Sequence, residues 1–314
     1  MIALGPLSFG GAPLGNLYAP LSDAGATATV AAAWEHGVRT FDTAPMYGHG
    51  LSERRMGAAL RERPRAEYVL STKVGRGLAP GGGGGTDGFA IPETQHVVWD
   101  FSRDGVHRSL QESLERLGLD RVDVALIHDP DDHERQAFDE AYPALEDLRS
   151  QGVVKAIGAG MNQSAMLARF ARETDVDLLL LAGRYTLLEQ GALDDLLPAC
   201  AAGRARVIAA GVFNSGLLAR ERPPADAPYN YAPAPPELIR RAHRIADVCE
   251  RHGTTLPAAA LAFPGRHPAV ATVLVGARSP AEVARNAELL ARPVPNALWA
   301  ELKAEGLLRA DAPA

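Results

Sequence analysis

Residues 114–130 read LERLGLDRVDVALIHDP and contain the structural unit that recurs along this chain. A helical pattern ends at Gly118, and glycine readily adopts the left-handed conformation that closes a helix. The run that follows, 122–127, is apolar almost throughout rather than alternating, as in a parallel strand covered on both faces. The stretch therefore predicts a helix, a glycine cap and a buried parallel strand, with His128 at the end of that strand.

The same unit appears at AAAWEHGVRTFDTA (31–44), LEDLRSQGVVKAIGAG (145–160) and AAGRARVIAAGV (201–212). Gly37, Gly152 and Gly203 occupy the position of Gly118, which predicts left-handed caps there as well. Strands are predicted at 6–10, 38–42, 68–74, 122–127, 153–158, 177–181, 206–211 and 270–275. About eight strand–helix units in 314 residues predict an α/β fold, a (β/α)8 TIM barrel, as a single domain over 1–314.

Composition narrows the possible partners. The net charge is -6 and the sequence pI is about 5.9, with no basic block, which argues against nucleic acid and against an anionic membrane surface. No apolar run approaches the ~18 residues of a membrane span, and the N-terminus lacks the pattern of a signal peptide. The two cysteines, Cys200 and Cys249, fit no disulfide or metal pattern, so a cytoplasmic location is expected.

Two long segments, 75–102 and 219–236, interrupt the repeating pattern. Both follow predicted strands and are expected to be irregular loops. In a barrel, such loops lie over the C-terminal mouth, where barrel enzymes place their sites. The glycine run 81–85 is interpreted as a flexible loop tip, because no helix follows it directly as in a phosphate-binding loop.

Four polar side chains follow three consecutive predicted strands. Asp42 ends the second strand with Tyr47 just beyond it, Lys73 ends the third, and His128 ends the fourth. A free phenol has a pKa near ~10, and a neighbouring ammonium group lowers it. A carboxylate would hold the lysine charged, and a histidine would supply a second donor at the reacting oxygen. The set predicts proton transfer to or from a carbonyl/alcohol pair.

Each of these residues has an ordinary structural explanation when taken alone. An aspartate at a strand end is commonly a turn residue, a tyrosine commonly packs, and a histidine is commonly solvated. Their joint placement at neighbouring strand ends is what favours a catalytic set, because the carboxyl ends of parallel strands converge on one mouth.

The blocks FDTAPMYGHGLSE (41–53), LSTKVG (70–75), LGLDRVDVALIHDPD (117–131) and VLVGARSPAEVARNAELL (273–290) resemble the aldo-keto reductase family, in order and across the whole chain. The resemblance implies that Asp42, Tyr47, Lys73 and His128 form a catalytic tetrad. It also implies a nicotinamide dinucleotide bound in an extended form at the barrel mouth, without a Rossmann domain.

The resemblance also implies a set of cofactor contacts. Asn162 matches the residue that holds the carboxamide group, while Met161 and Ala182 replace the serine and glutamine that family members often carry. NAD is preferred to NADP in this interpretation, because the carboxylate of Glu282 would repel the 2′-phosphate of NADP, although the nearby Arg278 would attract it. The predicted cofactor-binding residues are Asn162, Gly211, Gly276, Ala277, Arg278, Glu282 and Asn286.

The texts AGRYTLLEQ (182–190) and NSGLLA (214–219) resemble the sugar dehydrogenases of the family, which act on L-fucose, D-arabinose and L-galactose, and the bacterial pyridoxal 4-dehydrogenases. The resemblance implies oxidation of a cyclic hemiacetal to a lactone, with pyridoxal oxidation or general NADPH-dependent aldehyde reduction as alternatives. The predicted substrate contacts are Asp129, Asp131, Arg184 and Tyr185. Oligomeric state is not predicted.

Three rival functions are less well supported. The sequence GGAPLG (10–15) has the wrong glycine spacing for a Rossmann dehydrogenase. The sequence HDPDDH (128–133) offers ligand types for a metal-dependent hydrolase, but no second set follows at other strand ends, so no metal is expected. A non-catalytic nicotinamide-binding regulatory protein would not need all four tetrad residues.

Overall fold

Eight parallel strands close into a barrel in this computed structural model, which describes residues 2–230 and 232–313. Each strand pairs with its neighbours in chain order, and the first pairs with the eighth through Leu7 and Val273. The predicted barrel and all eight predicted strands are confirmed, with shifted ends; the fifth was expected at 153–158. The strands are Leu7–Gly10, Thr40–Asp42, Val69–Val74, Val124–His128, Ala156–Met161, Leu178–Ala182, Arg206–Ala210 and Val270–Gly276.

Helices surround the barrel, and glycine closes several of them as expected. Gly37, Gly118 and Gly152 have positive φ angles, whereas Gly203 caps its helix in an extended conformation, so the predicted left-handed cap is wrong there. The α-helices are Asp23–Glu35, Leu51–Leu60, Arg103–Leu117, Glu134–Gln136, Tyr142–Ser150, Ser164–Glu173, Leu196–Ala202, Pro236–Arg251, Leu256–Ala262, Pro280–Ala291 and Asn296–Ala304, with a π-helical turn at Ala137–Ala141.

The segment 75–102 was expected to be an irregular loop. That expectation is wrong, because the segment contains an antiparallel hairpin. Strands Arg76–Pro80 and Gln95–Trp99 pair along their full length. The hairpin loop carries Phe89, whose ring centroid lies 6.0 Å from that of Tyr47. This contact places the segment beside the mouth of the barrel, where it was expected.

The segment 219–236 forms a smaller hairpin from Pro228–Tyr229 and Ala232–Pro233, with Tyr231 outside the described residues. Arg184, which follows the sixth barrel strand, donates a hydrogen bond to Asn230 Oδ1 at 3.1 Å. The segment is therefore joined to the loop that leaves the sixth strand.

The barrel interior explains how the site residues are aimed. Val124 and Leu126 belong to the small apolar cluster inside the barrel, with side chains from the fifth to eighth strands. Side chains alternate between the two faces of a strand, so His128 follows Leu126 on the inward face. By the same alternation, Ser71 and Lys73 follow Val69 on the inward face of the third strand. The alternation of each strand therefore directs its terminal polar side chain into the mouth.

Within the described ranges, no helix is both long enough and apolar enough to cross a membrane.

Candidate active site

Lys73 and Asp42 form a buried ion pair at the mouth of the barrel. Lys73 Nζ lies 2.7 Å from Asp42 Oδ2 and donates a second hydrogen bond to the backbone carbonyl of Thr43 at 3.0 Å. The hydroxyl of Ser71 donates to the other oxygen of Asp42. Burial lowers the pKa of Lys73, but the Asp42 carboxylate and the Tyr47 hydroxyl outweigh burial, so this pKa lies above its usual value. Lys73 is therefore a fixed positive charge.

Tyr47 lies on a tight loop between the second strand and the next helix. Gly48, His49 and Gly50 all have positive φ angles, which turn the chain sharply directly after the tyrosine. Lys73 Nζ lies 4.8 Å from the centroid of the Tyr47 ring, and the His128 ring centroid lies 5.9 Å from it, nearly perpendicular. The four predicted side chains therefore come together in one place.

The pKa of Tyr47 is raised, mainly because burial disfavours the phenolate. Lys73 lowers this pKa, as the sequence predicted, and Asp42 raises it. The expected net lowering is therefore wrong: burial and the nearby carboxylate together outweigh the ammonium group. The phenol holds its proton at neutral pH, which suits a proton donor.

His128 is neutral at physiological pH. Burial, followed by the charges of Lys73 and Arg76, lowers its pKa well below the usual value. Its Nδ1 atom is buried and has no hydrogen-bond partner among the residues described. A neutral imidazole can donate one hydrogen bond without bringing a second positive charge beside Lys73.

Sequence reasoning missed Ser71 and Arg76. Ser71 lies two positions before Lys73, and the alternation of strand side chains was the signal that could have identified it. Arg76 begins the hairpin and donates to Asp129 Oδ2 at 2.9 Å, while its guanidinium carbon lies 4.4 Å from the ring centroid of Trp99. No sequence signal pointed to this arginine, because the hairpin itself was not predicted.

The predicted substrate residues differ in position. Asp129 lies next to the tetrad, with its Oδ2 atom 3.6 Å from His128 Nε2. Asp131 is exposed and accepts from Gln163 at 3.2 Å, and Arg184 bonds to the second hairpin. Tyr185 was predicted to contact the substrate, but its side chain is buried in the apolar core. Its ring centroid lies 5.1 Å from that of Phe263. Its ring therefore packs inside the protein rather than lining the mouth.

Three of the predicted cofactor-binding residues, Gly276, Ala277 and Arg278, directly precede the start of helix Pro280–Ala291. Ser279 caps this helix by accepting from the backbone of Glu282, and the Glu282 carboxylate accepts from the backbone of Arg278 at 2.8 Å. The Arg278 guanidinium donates to the backbone carbonyls of Leu17, Ala19 and Pro20. Glu282 therefore supports the start of the helix, and Arg278 fastens the loop after the first strand.

The remaining cofactor candidates lie around the barrel rim. Asn162 is exposed directly after the fifth strand, and Gly276 is exposed where the eighth strand ends. Gly211 has a φ angle of 61°, and a side chain there would come within 2.9 Å of the backbone of Gly183. Ala277 is buried, and Ala277 and Asn286 line a small cavity between the barrel and the outer helices. Asn286 therefore faces the protein interior at least in part.

Across the described part of the chain, no group of three or more His, Cys, Asp or Glu side chains is arranged to hold a metal ion.

Comparison with known proteins shows the family of this chain. The profile of the Aldo/keto reductase family matches residues 6–305. The chain belongs to this family. A D-threo-aldose 1-dehydrogenase from a Pseudomonas species is 49% identical over 308 residues, which cover 96% of this chain and 94% of the relative. A pyridoxal 4-dehydrogenase from Microbacterium luteolum is 39% identical, with 96% and 94% covered. The predicted family and its oxidoreductase class are confirmed.

One further relative and one solved structure are less similar in sequence. An L-galactose dehydrogenase from Arabidopsis thaliana is 33% identical, covering 89% of this chain and 82% of the relative. The solved structure of a glycerol dehydrogenase from Gluconobacter oxydans superposes with a TM-score of 0.80 at 23% identity, covering 99% of this chain and 93% of the other. At that identity the likeness concerns the barrel fold alone.

Proposed function

We propose that this aldo-keto reductase oxidises the hemiacetal carbon of an aldose to a lactone, with a nicotinamide dinucleotide as hydride acceptor. The proposal rests on one observation above all, the convergence of Tyr47, Lys73, Asp42 and His128 at the barrel mouth. The similarity to a D-threo-aldose 1-dehydrogenase and an L-galactose dehydrogenase supports the substrate class. The chain is proposed to act as one barrel domain over its whole length.

In this mechanism Tyr47 is the proton acceptor. The anomeric hydroxyl would give its proton to the phenolate oxygen of Tyr47, and a nicotinamide bound at the rim would supply the acceptor for the hydride that leaves C1. Lys73 favours the phenolate by its charge, and Asp42 holds the lysine charged and in place. The neutral imidazole of His128 donates a hydrogen bond to the same substrate oxygen as it becomes a carbonyl.

The residues present fit a dinucleotide at the rim. Asn162 offers an exposed amide, and the turn at Gly211 brings backbone close to backbone with no side chain between. The N-terminus of helix Pro280–Ala291 carries a partial positive charge that suits phosphate. Arg278 would supply a full positive charge there once it leaves the loop carbonyls. NAD is proposed over NADP because the Glu282 carboxylate lies at the same helix start.

The substrate pocket is proposed to be polar. Asp129 and Asp131 follow the fourth strand, and Arg184 follows the sixth. A sugar needs several hydrogen-bond partners for its hydroxyl groups, and a site built to bond a hydroxyl rejects analogues that lack it. Both cysteines are free and buried, which supports a reducing cytoplasm as the proposed compartment.

The decisive experiment is a turnover assay with the purified protein. The assay supplies NAD+ or NADP+ with each of four substrates: L-fucose, D-arabinose, L-galactose and pyridoxal. The initial rate of nicotinamide reduction is measured by absorbance. Aldose-dependent reduction of NAD+, with the lactone as product, is the expected result. Turnover of pyridoxal, with none of any aldose, would overturn the proposal and would favour the activity of the pyridoxal 4-dehydrogenase relative.

A further inference from the structure

The guanidinium group of Arg76 lies beside the proposed reaction site and is held in one place. Arg76 is only 9% exposed. Its Nη1 atom donates to Asp129 Oδ2 at 2.9 Å, and the indole of Trp99 packs against the guanidinium plane at 4.4 Å. An arginine fixed by a carboxylate and an aromatic ring loses little further entropy when it binds a ligand.

This guanidinium has donors that the protein does not use. Nε is buried and has no hydrogen-bond partner within residues 2–230 and 232–313. Nη2 forms an ion pair with Asp87 Oδ2 at 3.6 Å, a separation longer than a hydrogen bond. Buried polar groups in proteins almost always have partners, so the unused donors point to a polar ligand.

Asp129 places the pair directly beside the catalytic histidine. It follows His128 in the chain and has a φ angle of 44°, a left-handed conformation that is uncommon for a residue with a side chain. Its backbone N–H is held by the carbonyl of Gly160 at 3.0 Å, and its Oδ2 atom lies 3.6 Å from His128 Nε2. Residues in such conformations cluster at functional sites.

We infer that Arg76 and Asp129 together recognise the hydroxyl group on C2 of the aldose, an inference that rests on the proposed function. If His128 holds the oxygen on C1, the next polar pair along the mouth meets the substituent on the adjacent carbon. A hydroxyl group both donates and accepts. It can therefore donate to the Asp129 carboxylate and accept from the Arg76 guanidinium.

The test compares two sugars that differ only at C2. D-Arabinose and 2-deoxy-D-ribose are identical except for the C2 hydroxyl, and L-fucose with 2-deoxy-L-fucose forms a second such pair. The ratio of kcat/KM for the two sugars of a pair is measured in the parent and in Arg76→Met, which keeps the apolar stem of the side chain. The parent should favour the hydroxylated sugar strongly, and the variant should reduce that ratio about tenfold or more.

Arg204→Met is the matched control, because the exposed Arg204 precedes the seventh strand at the opposite end of the barrel, where it pairs with Asp175 and the largely buried Asp177. It should leave the ratio unchanged. If Arg76→Met lowers kcat/KM equally for both sugars of a pair, Arg76 only stabilises the hairpin and the inference is overturned. If Arg76→Met does not fold, Arg76→Lys gives the same comparison, since it keeps the charge but loses the planar fork.

A parent enzyme that oxidises no aldose would overturn the proposed function and this inference with it. If the parent oxidises D-arabinose or L-fucose, but the ratio of kcat/KM between the hydroxylated and the 2-deoxy sugar is the same in Arg76→Met, only the inference is overturned.

Discussion

Replacement of Asp42 by asparagine should destabilise the protein in a way that depends on pH. Asp42 and Lys73 are both almost wholly buried, and 2.7 Å separates Oδ2 from Nζ. Asparagine has nearly the same shape: its amide oxygen can accept from Lys73, and its NH2 group can donate to the Ser71 hydroxyl instead of accepting from it. The substitution therefore removes one charge and leaves the Lys73 ammonium group buried without its counterion.

The expected magnitude follows from this geometry. Two unit charges at 2.7 Å attract by about 6 kcal/mol at an effective dielectric constant of about 20. The cost of keeping two ions out of water offsets much of this attraction in the parent protein. Removal of one partner from a buried pair leaves the other's desolvation cost unopposed, and such changes cost about 3–5 kcal/mol. We expect a loss of this size in the free energy of unfolding near neutral pH.

The loss should shrink as pH rises. Burial lowers the pKa of Lys73, and the Asp42 carboxylate is the first of the effects that raise it. In Asp42→Asn the pKa of Lys73 should fall below that of the unfolded chain. Between those two pKa values the unfolded state binds more protons, so stability rises with pH. Urea unfolding of parent and variant at about pH 7 and about pH 9.5 measures both effects.

Asp23→Asn is the control, because it removes the carboxylate of an ion pair with Arg55 whose aspartate is 86% exposed. It should cost at most about 1 kcal/mol and show no comparable pH trend. A loss in Asp42→Asn no larger than that of the control would refute the reasoning. So would a larger loss that stays constant across the pH range, since it would show that the lysine is not the source.

Three further predictions concern the site. Tyr47→Phe should lower kcat at least about 100-fold while a fluorescence titration shows unchanged cofactor affinity. Because burial raises the pKa of Tyr47 and only the phenolate accepts a proton, kcat/KM for oxidation should rise about tenfold per pH unit from neutral pH to about pH 9; a flat profile counts against Tyr47 as the base. Glu282→Gln, which can still accept from the Arg278 backbone, should improve the NADP+/NAD+ ratio of kcat/KM about fivefold to tenfold, and an unchanged ratio removes Glu282 from cofactor choice.

The sequence by itself determined the barrel and the positions of its strands. Apolar runs such as 122–127 and the glycines before them depend on local periodicity, which the chain carries in its own order. The tetrad could be predicted for the same reason: Asp42, Lys73 and His128 end neighbouring parallel strands, and strand ends in a barrel must converge. The catalytic roles of these residues stay predictions until they are tested.

The tertiary structure alone decided the properties that depend on burial and on distant neighbours. The raised pKa of Tyr47 results from its enclosure by segments far away in the chain, including the hairpin that carries Phe89. Tyr185 looked like a mouth residue by its place after a strand, yet it packs against Phe263. Arg76 gained its place beside the site from a hairpin that periodicity did not reveal. Desolvation and contact are set by what packs around a side chain, and that information is not contained in its local sequence.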